Sequence, residues 1–133
     1  MFAVNAEVID LRAKEFAFSE QETMCVVNEI AKGDLVYIFA SENEGGAGLA
    51  ASGIVTLAEA IARKPGFARQ TPCVSIAVRR TALSKRRLGR SELKLFREWN
   101  DSQPEAELKF YRLATNKIAG ISDEVAAFLS GFF

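Results

Sequence analysis

The stretch Gly33-Asp34-Leu35-Val36-Tyr37-Ile38-Phe39-Ala40-Ser41 carries the reading of the fold. From Leu35 to Ala40 every position is apolar, with β-branched and aromatic residues among them, so the segment reads as a central strand covered on both faces. Gly33 turns the chain into that strand. After Ser41 come Glu42-Asn43-Glu44-Gly45-Gly46-Ala47-Gly48, which lack the side chains to pack a core and read as a mobile loop. Further on, residues 53–60 read as the returning strand and Pro65-Gly66 as a turn. Residues 71–83 are strand-like, with Val74, Ile76 and Val78 on one face and Cys73, Ser75 and Ala77 on the other; Arg79 and Arg80 end the strand on opposite faces.

Upstream, Phe2, Val4, Ala6 and Val8 alternate with Ala3, Asn5, Glu7 and Ile9, the period of a half-buried strand. Ser19 and Glu22 have the spacing of a capping box and Met24, Val27 and Ile30 recur on one side, which predicts a helix over 20–31. Downstream, Ser91 caps a predicted short helix ending at Trp99, with Leu95, Phe96 and Trp99 in one arc and Arg90, Lys94 and Arg97 in another. Residues 101–104 read as a loop and 107–113 as a last strand. Ser122 caps a terminal helix whose Val125, Phe128, Leu129 and Phe132 follow the i, i+3, i+4, i+7 pattern. Five to six mostly antiparallel strands with about three flanking helices make this an α+β chain, and 133 residues fit one domain, 1–133.

The segment 33–41, followed by Gly53-Ile54-Val55 and Ala58-Glu59-Ala60, resembles the EVE and related families of PUA-like domains, in which a Gly-Asp turn opens a strand ending in a small polar residue and a glycine-led strand returns. The strand at 108–113 and the ending Ile121-Ser122-Asp123-Glu124 are similar too, whereas Phe18-Ser19-Glu20-Gln21-Glu22 departs from the EVE pattern. The resemblance implies a PUA-like β pseudobarrel with a cleft that accepts a nucleotide or a modified base of nucleic acid. It places Ser41 at that cleft, with Gly53 permitting close approach and Asn5 able to hydrogen-bond a base edge.

Charge points the same way. Between Arg63 and Glu98 stand eleven of the seventeen basic residues against two acidic ones, Glu92 and Glu98, while residues 1–62 hold three basic and ten acidic. Cations gathered in one stretch suit a phosphate backbone, because each neutralised phosphate releases condensed counterions. The other reading is internal compensation, the acidic first half packing beside the basic middle. Within the block, Lys85-Arg86-Arg87 followed by Arg90, Lys94 and Arg97 can align along one ridge, whereas Arg63, Lys64 and Arg69 belong to a separate turn. Such a ridge positions a backbone without reading sequence.

With no histidine, the chain has no Ser-His-Asp or Cys-His nucleophilic system and no His-ligated metal site. Cys25 and Cys73 form no Cys-x-x-Cys pair, and the glycines of the 45–53 region match neither a dinucleotide fingerprint nor a P-loop. No catalytic residue, metal or cofactor is therefore expected. No apolar run approaches the ~18 residues of a membrane span and no signal peptide is read, so the expected location is cytoplasmic, away from membranes. The single tryptophan, Trp99, reads as a base-stacking platform or as a core anchor, and Asn116 as a turn residue or a pocket group. The expectation is a non-catalytic nucleic-acid-binding domain, for RNA or DNA, with phosphate contacts from Lys85, Arg86, Arg87, Arg90, Lys94 and Arg97 and a ligand pocket of Asn5, Ser41, Gly53, Trp99 and Asn116. Two alternatives stand beside it. One is a domain or enzyme for a nucleotide-like small ligand, with the 42–48 loop as a lid and Glu42 or Glu44 as acid or base. The other is an interaction module in which acidic and basic segments pair, as in a homodimer.

Overall fold

Six strands close on themselves in the computed structural model, which describes residues 1–24, 30–61, 73–86, 88–93 and 115–133. They are β1 (Phe2–Ala6), β2 (Glu15–Met24), β3 (Leu35–Ala40), β4 (Gly48–Ile61), β5 (Cys73–Leu83) and β6 (Lys117–Gly120), and the order around the barrel is β1-β3-β4-β5-β2-β6. The pairs β1–β3 and β2–β6 are parallel; the other four are antiparallel. A closed barrel leaves its paired strands no free edge.

Alternate residues of all six strands meet inside the barrel: Val4 and Ala6, Phe16 and Phe18, Val36 and Ile38, Ala51 and Val55, Val74, Ile76 and Val78, and Ile118. A second cluster lies on the opposite face of β1, β3 and β6, where Ala3, Tyr37, Phe39 and Ala119 pack under Val125, Ala126 and Leu129 of the helix α2 (Asp123–Ser130). This is why Leu35–Ala40 is apolar throughout: one face lines the barrel and the other carries the helix. The same holds for β1, which is buried at all five positions instead of half-buried. It also stops at Ala6, short of the expected Ile9.

The Gly33 turn forms as expected, at φ 98°, with Asp34 Oδ2 accepting from the Ala31 N–H at 2.8 Å and the Asp34 carbonyl accepting from Val55 at 2.9 Å. Ser122 caps α2 as expected, its hydroxyl accepting from the Val125 N–H at 3.2 Å. Tyr37 ties the helix to β3 through its hydroxyl, 2.7 Å from Ser130 Oγ and 3.2 Å from the Ala126 carbonyl.

Several expectations are corrected. The helix predicted over 20–31 is strand in its first part, since β2 runs to Met24; residues 25–29 lie outside the described residues. Phe16 and Phe18 point inward at a period of two, and a bulge between Phe18 and Gln21 resets the phase, so the sequence shows no unbroken alternation. β4 starts at Gly48, five residues before the expected 53. β5 ends at Leu83 as expected, but Arg79 and Arg80 lie within it instead of ending it. The short helix α1 (Arg90–Leu93) begins at Arg90, which puts Ser91 inside the first turn instead of at the cap. The expected three helices reduce, among the described residues, to α2, the single turn of α1 and a 3-10 turn at Glu42–Glu44. The loop at 101–104 and the strand at 107–113 fall outside the described residues, and β6 was not expected at all.

Candidate nucleic-acid interface

The C-terminal ends of β3 and β5 and the N-terminal end of β4 share one rim of the barrel, because β4 is antiparallel to both. The glycines between β3 and β4 are set by close packing there. A Cβ on Gly46 would collide with the Ala40 carbonyl, and one on Gly48, at φ 96°, with the Leu88 carbonyl. Backbone bonds complete the turn: the Ser41 carbonyl accepts from Glu44 at 3.1 Å and Gly46 at 2.8 Å, and the Leu88 carbonyl accepts from Leu49 at 3.0 Å. The 42–48 segment holds a 3-10 turn at Glu42–Glu44 and reaches β4 at Gly48, which is seated on Leu88 and Gly89. Glu42 lies against Gly89, its carboxylate oxygens 3.3 Å from where a Cβ would stand.

Beside this turn lies a cleft of about 380 Å³, within the range of roughly 300–1,000 Å³ typical of small-ligand sites. Its floor is Ala40, Ala47, Gly48, Leu49 and Ala50, and its sides are Leu11 and Arg12 before β2, Leu83 at the end of β5, and Ser84, Lys85 and Arg86 after it. Arg12, Lys85 and Arg86 make the lining cationic, and among the described residues no carboxylate lines it. An apolar floor rimmed by cations suits a flat aromatic ring carrying phosphate. Neither Glu42 nor Glu44 is among the described residues that line the cleft.

The rim cations are held from behind. Arg86 Nη2 donates to the Gly131 carbonyl at 2.6 Å and its guanidinium lies 4.7 Å from the centre of the Phe132 ring. The Lys85 backbone N–H donates to the Phe132 carbonyl at 2.6 Å, leaving its exposed side chain to project. Arg80 Nη1 donates to the Arg12 carbonyl at 2.6 Å.

Of the expected phosphate contacts, Lys85 and Arg86 therefore border the cleft. Arg90 opens α1, and Arg87, Lys94, Arg97 and Trp99 lie outside the described residues. Ser41, next to Ala40 of the floor, is buried, and its hydroxyl meets Thr115 Oγ1 at 2.8 Å. Asn5 is fully buried on β1, in register with Phe39 and Lys117, so it shares the outer face of the barrel with Phe39. Asn116 is exposed in a left-handed turn at φ 61°, directly before β6. Gly53 stands apart from the cleft: the space of its missing Cβ is taken by a Val78 methyl and the Arg79 carbonyl, so it permits close packing of β4 on β5.

Sequence reasoning missed Arg12, which its distance from the basic block concealed, and Gln21, hidden by the capping-box reading. Gln21 is in register with Val74 and so faces the barrel interior; its Nε2 donates to the Ser19 carbonyl at 2.9 Å and to Asn116 Oδ1 at 3.4 Å. Among the described residues no group of three or more His, Cys, Asp or Glu stands ready to hold a metal ion, and no helix is long and apolar enough to cross a membrane.

No protein-family model and no curated protein matches the chain. Two solved structures do match in fold. One is human THYN1 protein in complex with 5-methylcytosine-containing DNA, at TM-score 0.62 and 14% identity over 97% of this chain and 95% of that one. The other is the DUF55 domain of human thymocyte nuclear protein 1, at TM-score 0.61 and 14% identity over 97% of this chain and 96% of that one. The likeness is one of fold: the six-stranded barrel with a helix packed over β1, β3 and β6 is a PUA-like fold, shared with the DUF55 domain.

Proposed function

We propose that residues 1–133 form a single, non-catalytic domain that binds nucleic acid, taking a base, and in particular a modified base, into the cleft at the ends of β3 and β5. The observation that carries this reading is the meeting of Arg12, Lys85 and Arg86 around an apolar floor formed by Ala40 and Ala47 to Ala50. Lys85 and Arg86, continued by Arg87, Arg90, Lys94 and Arg97, hold phosphates. Arg12 does so from the opposite side of the chain. The exposed Asn116 offers its amide NH2 to a base edge, its Oδ1 already accepting from Gln21, while the buried Ser41 acts from beneath by tying the end of β3 to Thr115. The likeness in fold to a domain crystallised with 5-methylcytosine DNA supports the same choice of ligand class.

Titration of labelled duplex DNA with and without 5-methylcytosine, and of RNA, at several salt concentrations tests the proposal. Affinity should fall linearly with log salt, and a modified-base reader should prefer the methylated duplex. No binding at low salt, or an affinity indifferent to salt, refutes the nucleic-acid reading; a bound metabolite in native mass spectrometry would assign the cleft to a small ligand instead.

A further inference from the structure

The apolar pattern of the last helix carries Phe132 as a core position, yet α2 ends at Ser130 and Phe132 stands beyond it, half-buried. Its backbone is fixed from two sides: the N–H donates to the Leu129 carbonyl at 3.0 Å, and the carbonyl accepts from the Lys85 N–H at 2.6 Å. Its ring packs edge-on against Phe128, centres 5.4 Å apart, and joins the cluster around the fully buried Leu129. The ring so anchored carries the Arg86 guanidinium, 4.7 Å from its centre, while the neighbouring Gly131 carbonyl accepts from Arg86 Nη2 at 2.6 Å.

Both partners of that guanidinium are uncharged. A carbonyl and an aromatic face fix its position without neutralising it, so its charge and the rest of its N–H donors stay available to a phosphate. The main chain leading to it is held as well: the Ser84 N–H donates to the Ala50 carbonyl at 2.9 Å and the Ser84 hydroxyl to the Leu49 carbonyl at 2.8 Å, both on the floor of the cleft. A surface arginine ordinarily gives up rotamer freedom when it grips a ligand; here the fold has removed that freedom in the free protein.

We propose that Phe132 is a positioning residue of the cleft: it holds the Arg86 guanidinium, before any ligand arrives, where it takes a phosphate of the bound nucleic acid. The inference rests on the nucleic-acid reading of the cleft. It assigns to a side chain outside the lining a share of the affinity that acts entirely through Arg86.

The test is fluorescence anisotropy on a labelled 5-methylcytosine duplex, with a thermal melt of every variant. Phe132→Leu keeps an apolar side chain and the backbone bond to Lys85; it should weaken binding about three- to tenfold. Its salt slope should stay that of wild type, since Arg86 still neutralises its phosphate once bound. Phe132→Tyr, which restores the ring face, should bind like wild type. In an Arg86→Gln background, Phe132→Leu should cost no further affinity, the mark of two residues acting as one unit. Arg86→Lys should lose as much as Phe132→Leu at an unchanged slope, because lysine keeps the charge without the planar fork, and it decides the question should Phe132→Leu fail to fold. Undiminished affinity of folded Phe132→Leu, an equal loss in both backgrounds, or Arg86→Lys that binds like wild type overturns the positioning role while leaving the cleft reading intact. Wild-type protein that binds no nucleic acid removes the cleft reading, and the role of Phe132 with it.

Discussion

Replacing Arg12, Lys85 and Arg86 together by Gln removes the three cations that line the cleft among the described residues, and the salt dependence of binding measures what they do. Each phosphate contact on B-form DNA contributes about 0.9 to the slope of log affinity against log salt, so three contacts contribute about 2.7. Between 50 and 200 mM salt, a fourfold change, wild-type affinity should therefore fall about 40-fold further than that of the triple variant. Lys85→Gln alone is the cleanest single step, because the structural link at that position is its backbone N–H to Phe132; the slope should drop by about 0.9 with no change in melting temperature. Arg86→Gln also gives up the Gly131 carbonyl and the Phe132 ring, a cation–π contact worth about 0.5–1 kcal/mol at an exposed site, so its slope is read beside a thermal melt. Fluorescence anisotropy at five or six salt concentrations is sufficient. A triple variant that binds more weakly at every salt with the wild-type slope would refute the phosphate role, since neutralised contacts must release fewer counterions.

Two further expectations test the scaffold. Gly48→Ala forces a left-handed residue, at about 1–2 kcal/mol, and drives a Cβ into the Leu88 carbonyl, at about 1–3 kcal/mol more, whereas Gly45→Ala meets nothing within 4 Å and costs the backbone term alone. Urea unfolding in which Gly48→Ala is no worse than Gly45→Ala would disprove the packing of the β3–β4 turn on Leu88. Ser122→Ala should lower stability by about 1 kcal/mol with an unchanged m-value, through loss of the N-cap bond to Val125; an unchanged urea midpoint would show that the cap contributes nothing.

How much of the fold could be read in advance depended on how local its cause was. β3 was legible because burial on both faces leaves an uninterrupted apolar run, and β5 because Val74, Ile76 and Val78 alternate without a break. β2 was not, since its bulge interrupts the alternation and Ser19 with Glu22 happens to match a helix start. β6 is four residues long, too short for any period, and is a strand because β1 and β2 stand on either side to pair with it. The glycines at 46 and 48 looked like freedom in the chain, whereas packing against Ala40 and Leu88 requires them.

The site divides in the same way. Sequence alone determined that Lys85 and Arg86 belong to a cationic run, that Ser41 ends a strand opened by a Gly-Asp turn, and that histidine-based chemistry is absent, because each is a property of residue type and near neighbours. Tertiary structure alone decided that those two cations border the cleft floored by Ala40, that Arg12 joins them from outside the basic block, and that Asn5 and Ser41 are buried beneath the surface. The physical reason is strand register: closing β1-β3-β4-β5-β2-β6 into a barrel brings residue 12 beside residues 85 and 86, and a separation of more than seventy positions leaves no trace in local periodicity.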